Sequence, residues 1–174
     1  MTEERFIRAM ELIVHKEKAG LKEIYEAYVG FIYHVVLDVV KSKENAEDIT
    51  SEFFIRLWEK ADRYSPGRGH KAYLAVIARN MAIDHLRKYK KEELTDEAET
   101  LSEETVTPED EVMVAMSVNE ALDKLKPIYR QIVSLKVLGE LTFKEISKIM
   151  DMPMGTVTWN YQEAIKQLRR CGYE

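Results

Sequence analysis

Residues 63–91 read RYSPGRGHKAYLAVIARNMAIDHLRKYKK. Ser65, Pro66, Gly67 and Gly69 signal a turn. Beyond them Leu74, Ile77, Met81 and Leu86 recur at a spacing that puts them on one face of a helix from about Lys71 to Lys90. The run holds eight Lys/Arg against one acid, Asp84, inside a chain whose net charge is −5. A cationic patch on an acidic protein points to a polyanion. Interleaved Tyr64, Tyr73 and Tyr89 suit base stacking as well as phosphate contact, so nucleic acid fits best. A solvated basic helix is the competing reading.

Upstream the pattern is also helical. Residues 1–18 alternate charge and bulk as an amphipathic helix. Leu21, Ile24, Tyr25, Tyr28, Phe31, Ile32, Val35, Val36 and Val39 form a core-facing stripe. Asn45, with Asp48 three residues on, reads as the N-cap of a helix from Ala46 to about Lys60 that presents Ile49, Phe53 and Leu57. These helices pack as one unit with one basic face.

Downstream the composition changes. Residues 92–118 hold ten acids and no base, with Pro108 and many Ser and Thr. Without an apolar face such a segment is a flexible linker. Beyond it, Ala121, Leu122 and Leu125 mark a short helix, and Pro127 opens another that ends at Gly139, read as a left-handed cap. Thr142 and Glu145 form a capping box ahead of Ile146, Ile149 and Met150. A tight Asp151-Met152-Pro153 connection leads to a last helix from about Met154 to Arg170. Helix, short turn and helix is the helix-turn-helix pattern, whose second helix enters the major groove. The expected fold is therefore all-α: two small helical domains, 1–91 and 119–174, joined by the acidic linker 92–118.

Several function classes fall away. No stretch approaches the ~20 apolar residues of a membrane span, and no signal peptide opens the chain. The lone Cys171 fits a reducing, cytoplasmic setting. His15, His34, His70 and His85 are scattered. His34 with Asp38 is the one helically spaced candidate metal pair, and surface placement is the better reading of it. A phosphate-cradling glycine loop, a nucleophile elbow and a Cys/His cluster are all missing, so the expectation is no catalysis, no metal and no cofactor.

Three motifs occur in series. They are NAEDITSEFFIRLW at 45–58, YLAVIARNMAIDHLR at 73–87 and LTFKEISKIMDMPMGTV at 141–157. Together they resemble the bacterial RNA polymerase sigma factors of the extracytoplasmic-function group over most of the chain. The resemblance implies a factor that directs polymerase core to promoters. Its first domain would dock on the clamp helices of the large subunit, with Phe54, Ile55 and Trp58 as apolar anchors and Asp48, Glu52 and Arg56 as the polar rim. The same domain would read and open the −10 element. Asn80 and Asp84, four apart on one helical face, would bond an extruded base. Tyr64, His70 and Tyr73 would line the site, the Tyr64–His70 loop forming its wall, and Arg68, Lys71, Arg79, Arg87 and Lys88 would hold phosphates. Asp84 departs from the neutral amide some members carry. The acidic linker would stand in for nucleic acid in the polymerase channel, and an anti-sigma protein is expected as a further partner.

For the −35 element the candidates are Thr142, Thr156, Thr158, Trp159, Asn160 and Gln162. Family members usually follow Gly-Thr-Val with several cations, yet here none appears until Lys166, and Glu163 would repel a phosphate. Weak or unusual −35 recognition is therefore expected. Two alternatives stay open: a sigma-like regulator with degenerate −35 recognition, and a helix-turn-helix repressor that never meets polymerase.

Overall fold

The computed structural model describes residues 1–67, 69–93 and 118–170. Arg68, Cys171 and most of the acidic linker lie outside the described residues. Among the described residues the chain is all-α. The first bundle comprises α1 (Glu3–Val14), α2 (Lys18–Val40), α3 (Lys43–Glu59), a short 3₁₀ turn (Ala61–Arg63) and α4 (His70–Glu93). The second comprises α5 (Val118–Asp123), α6 (Pro127–Val137), α7 (Phe143–Met150) and α8 (Met154–Arg170).

Helix α2 is the spine of the first bundle, with α1, α3 and α4 laid around it. Phe6, Ile13, Ile24, Ile32, Phe53 and Leu74 are fully buried where these helices meet. Each such side chain contributes about 1.5–3 kcal/mol through apolar burial. The polar faces left outside include the basic side of α4. Helix α3 begins three residues earlier than the sequence suggests. Ser42, not Asn45, is the N-cap: its hydroxyl accepts from Asn45 N–H at 3.3 Å, and helix starts at Lys43.

In the second bundle, Thr142 caps α7 as the sequence predicts. Its Oγ1 accepts from Glu145 N–H at 3.2 Å, while Glu145 Oε2 accepts from Thr142 N–H at 2.8 Å. Losing an N-cap hydroxyl typically costs about 1 kcal/mol. Thr142→Ala should therefore lower unfolding stability by about that amount, read as a shift in urea midpoint with unchanged slope. The turn after α7 uses Asp151 in the left-handed region, φ 52°, and is held by Ser147 Oγ donating to Met152 O at 2.6 Å.

The two bundles are docked on one another. α6 packs on α2 and α7 on α4. Ile132, Leu135, Leu141, Ile146 and Val157 join the core of the first bundle, while Leu125, Tyr129, Val133 and Ala164 form a smaller cluster of their own. Gly139 belongs to this docking and is not a left-handed cap; the positive φ falls on Glu140, at 54°. A Cβ on Gly139 would lie 2.6 Å from Leu135 O and 2.9 Å from the Phe31 ring of α2. Glycine is needed there for close approach.

Asp38, read from sequence as a surface residue, is 1 % exposed. It pairs with Arg130 of α6, which also pairs with Asp123. Asp38 Oδ2 remains buried without a hydrogen-bond partner. This ion pair ties α2 to α6 across the two bundles. Without Arg130 the Asp38 carboxylate would lose its direct partner inside a buried interface, whereas Arg130 would keep Asp123.

Candidate nucleic-acid interface

The C-terminal half of α3 and the middle of α4 diverge enough to leave an open cleft of about 350 Å³. Phe53, Leu57, Ile77 and Met81 make its apolar floor, with Asn80 and Asp84 from α4 among its lining residues. Arg56, Lys60, Arg63 and Tyr73 complete it. Both Asn80 and Asp84 are exposed, so their polar ends are available to a ligand. An apolar floor ringed by cations, with two short hydrogen-bonding side chains four residues apart, suits an unstacked base and its flanking phosphates. Asp84 also sits 3.7 Å from Arg87 Nη1, a solvent-exposed pair that contributes little energy but restrains the carboxylate.

The structure distributes the other α4 candidates unevenly. Arg87 and Lys88 are exposed and line an adjacent recess together with Asp84 and His85. Lys71 is engaged by Glu140 of the second bundle. Arg79 points the other way: its Nε is buried without a partner, in a small gap shared with Val35, Asp38 and Gln131. Burial pushes its pKa below the ordinary arginine value. A phosphate role for Arg79 would fall to its terminal nitrogens, because Nε is enclosed beside α2 and α6. Sequence reasoning missed Lys60 as a cleft residue and gave Arg56 to a different surface. Helical phase alone does not say which neighbour a flank turns toward.

The loop that begins at Tyr64 reaches the cleft only through the packing of Tyr64 on Tyr73. Gly67 and Gly69 take φ of 99° and 77°, which only glycine adopts without strain. Their end of the loop faces Glu145, Lys148 and Ile149 of α7, so the loop walls a second recess instead of the Asn80 cleft. His70 is 7 % exposed and fully engaged by Tyr28 and Glu3, with its ring stacked on Phe6 at 4.8 Å. It is a strut beneath the loop and has no free edge for DNA. Tyr64 and Tyr73 are half-buried and meet edge to face at 4.9 Å. Burial, reinforced by Glu3, pushes the Tyr64 hydroxyl up to about 12, so it stays a donor at any working pH. Burial pulls the Glu3 carboxyl upward, but hydrogen bonds from His70 and Tyr64 outweigh it and leave the group below its ordinary 4.5. Its stabilising contacts are thus complete above that value and are lost as pH falls through the lower folded pKa.

On α3, Asp48, Glu52, Ile55 and Glu59 share an exposed stripe. Ile55 is 58 % exposed and is the apolar residue free to anchor a partner. Phe54 is 5 % exposed, packed against Phe53 and Tyr25 rather than projecting outward. Trp58 is half-buried under Lys16, whose Nζ lies 5.2 Å from the ring centroid. Arg56 pairs with Glu52 at 3.0 Å.

On α8, Gly155, Thr156, Trp159, Gln162 and Lys166 are exposed at helical spacing and form one outward face, with Trp159 at 56 %. Asn160 is 6 % exposed and faces inward, so it has no reach to a base edge. Thr158 Oγ1 is occupied by Met154 O at 2.9 Å, and Thr142 by its capping box. Glu163 is paired with Lys166 at 2.6 Å, which offsets the repulsion it would exert on a phosphate.

Comparison with known proteins identifies the family. The Sigma-70 region 2 family matches residues 24–92, and the Sigma-70, region 4 family matches residues 115–168. The ECF RNA polymerase sigma factor SigM of Bacillus subtilis is 31% identical over 76% of this chain and 82% of its own length. SigW of the same organism is 29% identical, with 92% of this chain and 97% of its own covered. BldN of Streptomyces coelicolor is 31% identical over 94% of this chain, which spans 65% of BldN's length. Among solved structures, the sigma factor RpoE in complex with the anti-sigma factor NepR from Bartonella quintana superposes with a TM-score of 0.66 at 19% identity. That superposition covers 86% of this chain and 93% of the other. CnrH in complex with the cytosolic domain of CnrY gives 0.63 at 14% identity, covering 98% and 97%. The two structures establish the shared fold, and the sequence relatives establish the lineage: the chain belongs to the extracytoplasmic-function group of RNA polymerase sigma factors.

Proposed function

We propose that this sigma factor divides its work along the chain. Residues 1–91 bind polymerase core and the −10 element, residues 92–118 form an acidic linker, and residues 119–174 meet the −35 element. The observation that carries this reading is the cleft between α3 and α4, where Asn80 and Asp84 stand over an apolar floor beside Arg56, Lys60 and Arg63. A base extruded from the non-template strand rests its face on that floor and bonds its edge to Asn80 and Asp84, while the cations hold its phosphates. Capture of the flipped base stabilises the separated strands, and no bond is made or broken by the protein.

Polymerase is held by the outer stripe of α3. Ile55 supplies the apolar contact and Asp48, Glu52 and Glu59 the charged rim, an arrangement suited to another helix. On α8 the reading face is Thr156, Trp159 and Gln162. With no cation on that face before Lys166, and Lys166 paired to Glu163, −35 affinity should depend only shallowly on salt. RpoE is in complex with the anti-sigma factor NepR and CnrH with the cytosolic domain of CnrY, and a comparable anti-sigma partner is proposed here. The working site is the cytoplasm, where polymerase and DNA are.

The test is reconstitution. The purified chain should co-elute with polymerase core, and the complex should give run-off transcripts from a subset of genomic promoters where core alone gives none. Co-elution without transcripts would reduce the protein to a polymerase-binding regulator. Failure to co-elute would leave a DNA-binding repressor.

A further inference from the structure

Helix α1 precedes the segment matched by the region 2 family, yet its first residue reaches the loop beside the cleft. Glu3 Oε1 accepts a hydrogen bond from the Tyr64 hydroxyl at 3.0 Å. Its Oε2 accepts from the backbone N–H of His70 at 3.1 Å and from His70 Nδ1. One carboxylate therefore ties together the two ends of the loop. His70 is the first residue of α4, and its N–H is one of the donors a helix N-terminus leaves without an intrahelical partner. Glu3 caps that helix from 67 residues away in sequence.

The rest of the cluster makes the tie rigid. Phe6, one turn along α1, stacks on the His70 ring and meets Tyr64 edge to face at 5.2 Å. Tyr28 of α2 holds His70 Nε2 from the other side. Tyr64 in turn packs on Tyr73, which lines the cleft with Asn80 and Asp84. Between the tied ends lie Gly67 and Gly69, whose freedom would otherwise let the loop and Tyr64 wander.

We propose that Glu3 is a positioning residue for strand capture: by holding Tyr64 and the start of α4 it fixes Tyr73 at the wall of the base cleft. This rests on the reading of the cleft given above. Glu3 touches no DNA itself and acts through Tyr64 and His70.

The experiment uses the full chain bound to polymerase core. A promoter whose non-template strand carries 2-aminopurine in the −10 element reports opening, and a set of promoters with each of the four bases at the extruded position reports selectivity. Glu3→Ala should slow opening about tenfold and flatten the preference among the four bases, with core affinity unchanged within twofold. Glu3→Gln should restore most of both, because its amide oxygen still accepts from His70 N–H and its NH₂ can donate to the Tyr64 hydroxyl. A helix that merely adds stability would not move base preference. Wild-type opening rate and selectivity in Glu3→Ala would overturn the proposal. Should that variant lose core binding, Tyr64→Phe decides: reduced selectivity supports the tie, and unchanged selectivity overturns it. If the wild-type complex itself opens no promoter, the cleft reading fails first, and that is visible in the control.

Discussion

Replacing Asn80 and Asp84 together by alanine should abolish promoter opening, with about a hundredfold fewer open complexes, and leave affinity for polymerase core within twofold. A hydrogen bond that must be re-formed with water contributes on the order of 1 kcal/mol, and more when one partner is charged. Two lost at once give the stated factor, since about 1.4 kcal/mol is tenfold. Core affinity should hold because both residues lie on α4, while the apolar anchor Ile55 lies on α3 and lines neither recess that Asp84 borders. Both are exposed, so truncation leaves no cavity and should not unfold the chain. Asp84→Asn keeps the size and an acceptor while removing the charge. It should retain most of the activity if the carboxylate accepts from the base, and lose it if the pairing with Arg87 is what matters. Gel-resolved open complexes, counted alongside core binding by fluorescence anisotropy, separate these outcomes. Unimpaired opening in the double variant would remove both residues from the mechanism.

The largest effect on stability is expected at Arg130. Arg130→Met removes the direct partner of the Asp38 carboxylate, which is 1 % exposed in the interface between α2 and α6 with Oδ2 already unpartnered, and leaves it only the less direct charges of Lys41 and Arg79. Breaking a buried pair from one side costs about 3–5 kcal/mol. Chemical denaturation should show that loss, and hydrogen exchange should show α6 opening before the core of α1 to α4. The double variant Asp38→Leu with Arg130→Met removes both charges and should recover most of the stability, because an apolar pair of similar volume pays no desolvation penalty. Equal stability of the single variant and the wild type would mean that water reaches the pair.

Local features were readable because their causes are local. The capping box at Thr142 and Glu145, Pro127 at the start of α6, and the apolar spacing of each long helix all depend on residues within a turn or two. Candidate sites were legible to the helix but not to the face. Phe54 and Asn160 fall beside exposed residues in helical phase, yet a neighbouring element covers each of them. Arg79 is drawn inward for the same reason, by α6 packing on α2. Contacts distant in sequence were invisible altogether. Asp38 meets a partner 92 residues away, and Glu3 reaches His70 across 67. Gly139 carries the signature of a helix end, but its lack of a side chain serves the approach of Phe31. In each case the deciding fact was which surfaces meet, and periodicity does not encode that.

The most direct measurement is the fluorescence of 2-aminopurine placed at single positions through the non-template −10 strand, in complex with polymerase core and the wild-type chain. Base capture in the α3–α4 cleft predicts strong enhancement at or beside one position, as its neighbour leaves the stack, and that enhancement should vanish with Asn80→Ala and Asp84→Ala. A duplex that stays dark at every position while the complex is fully assembled would contradict it.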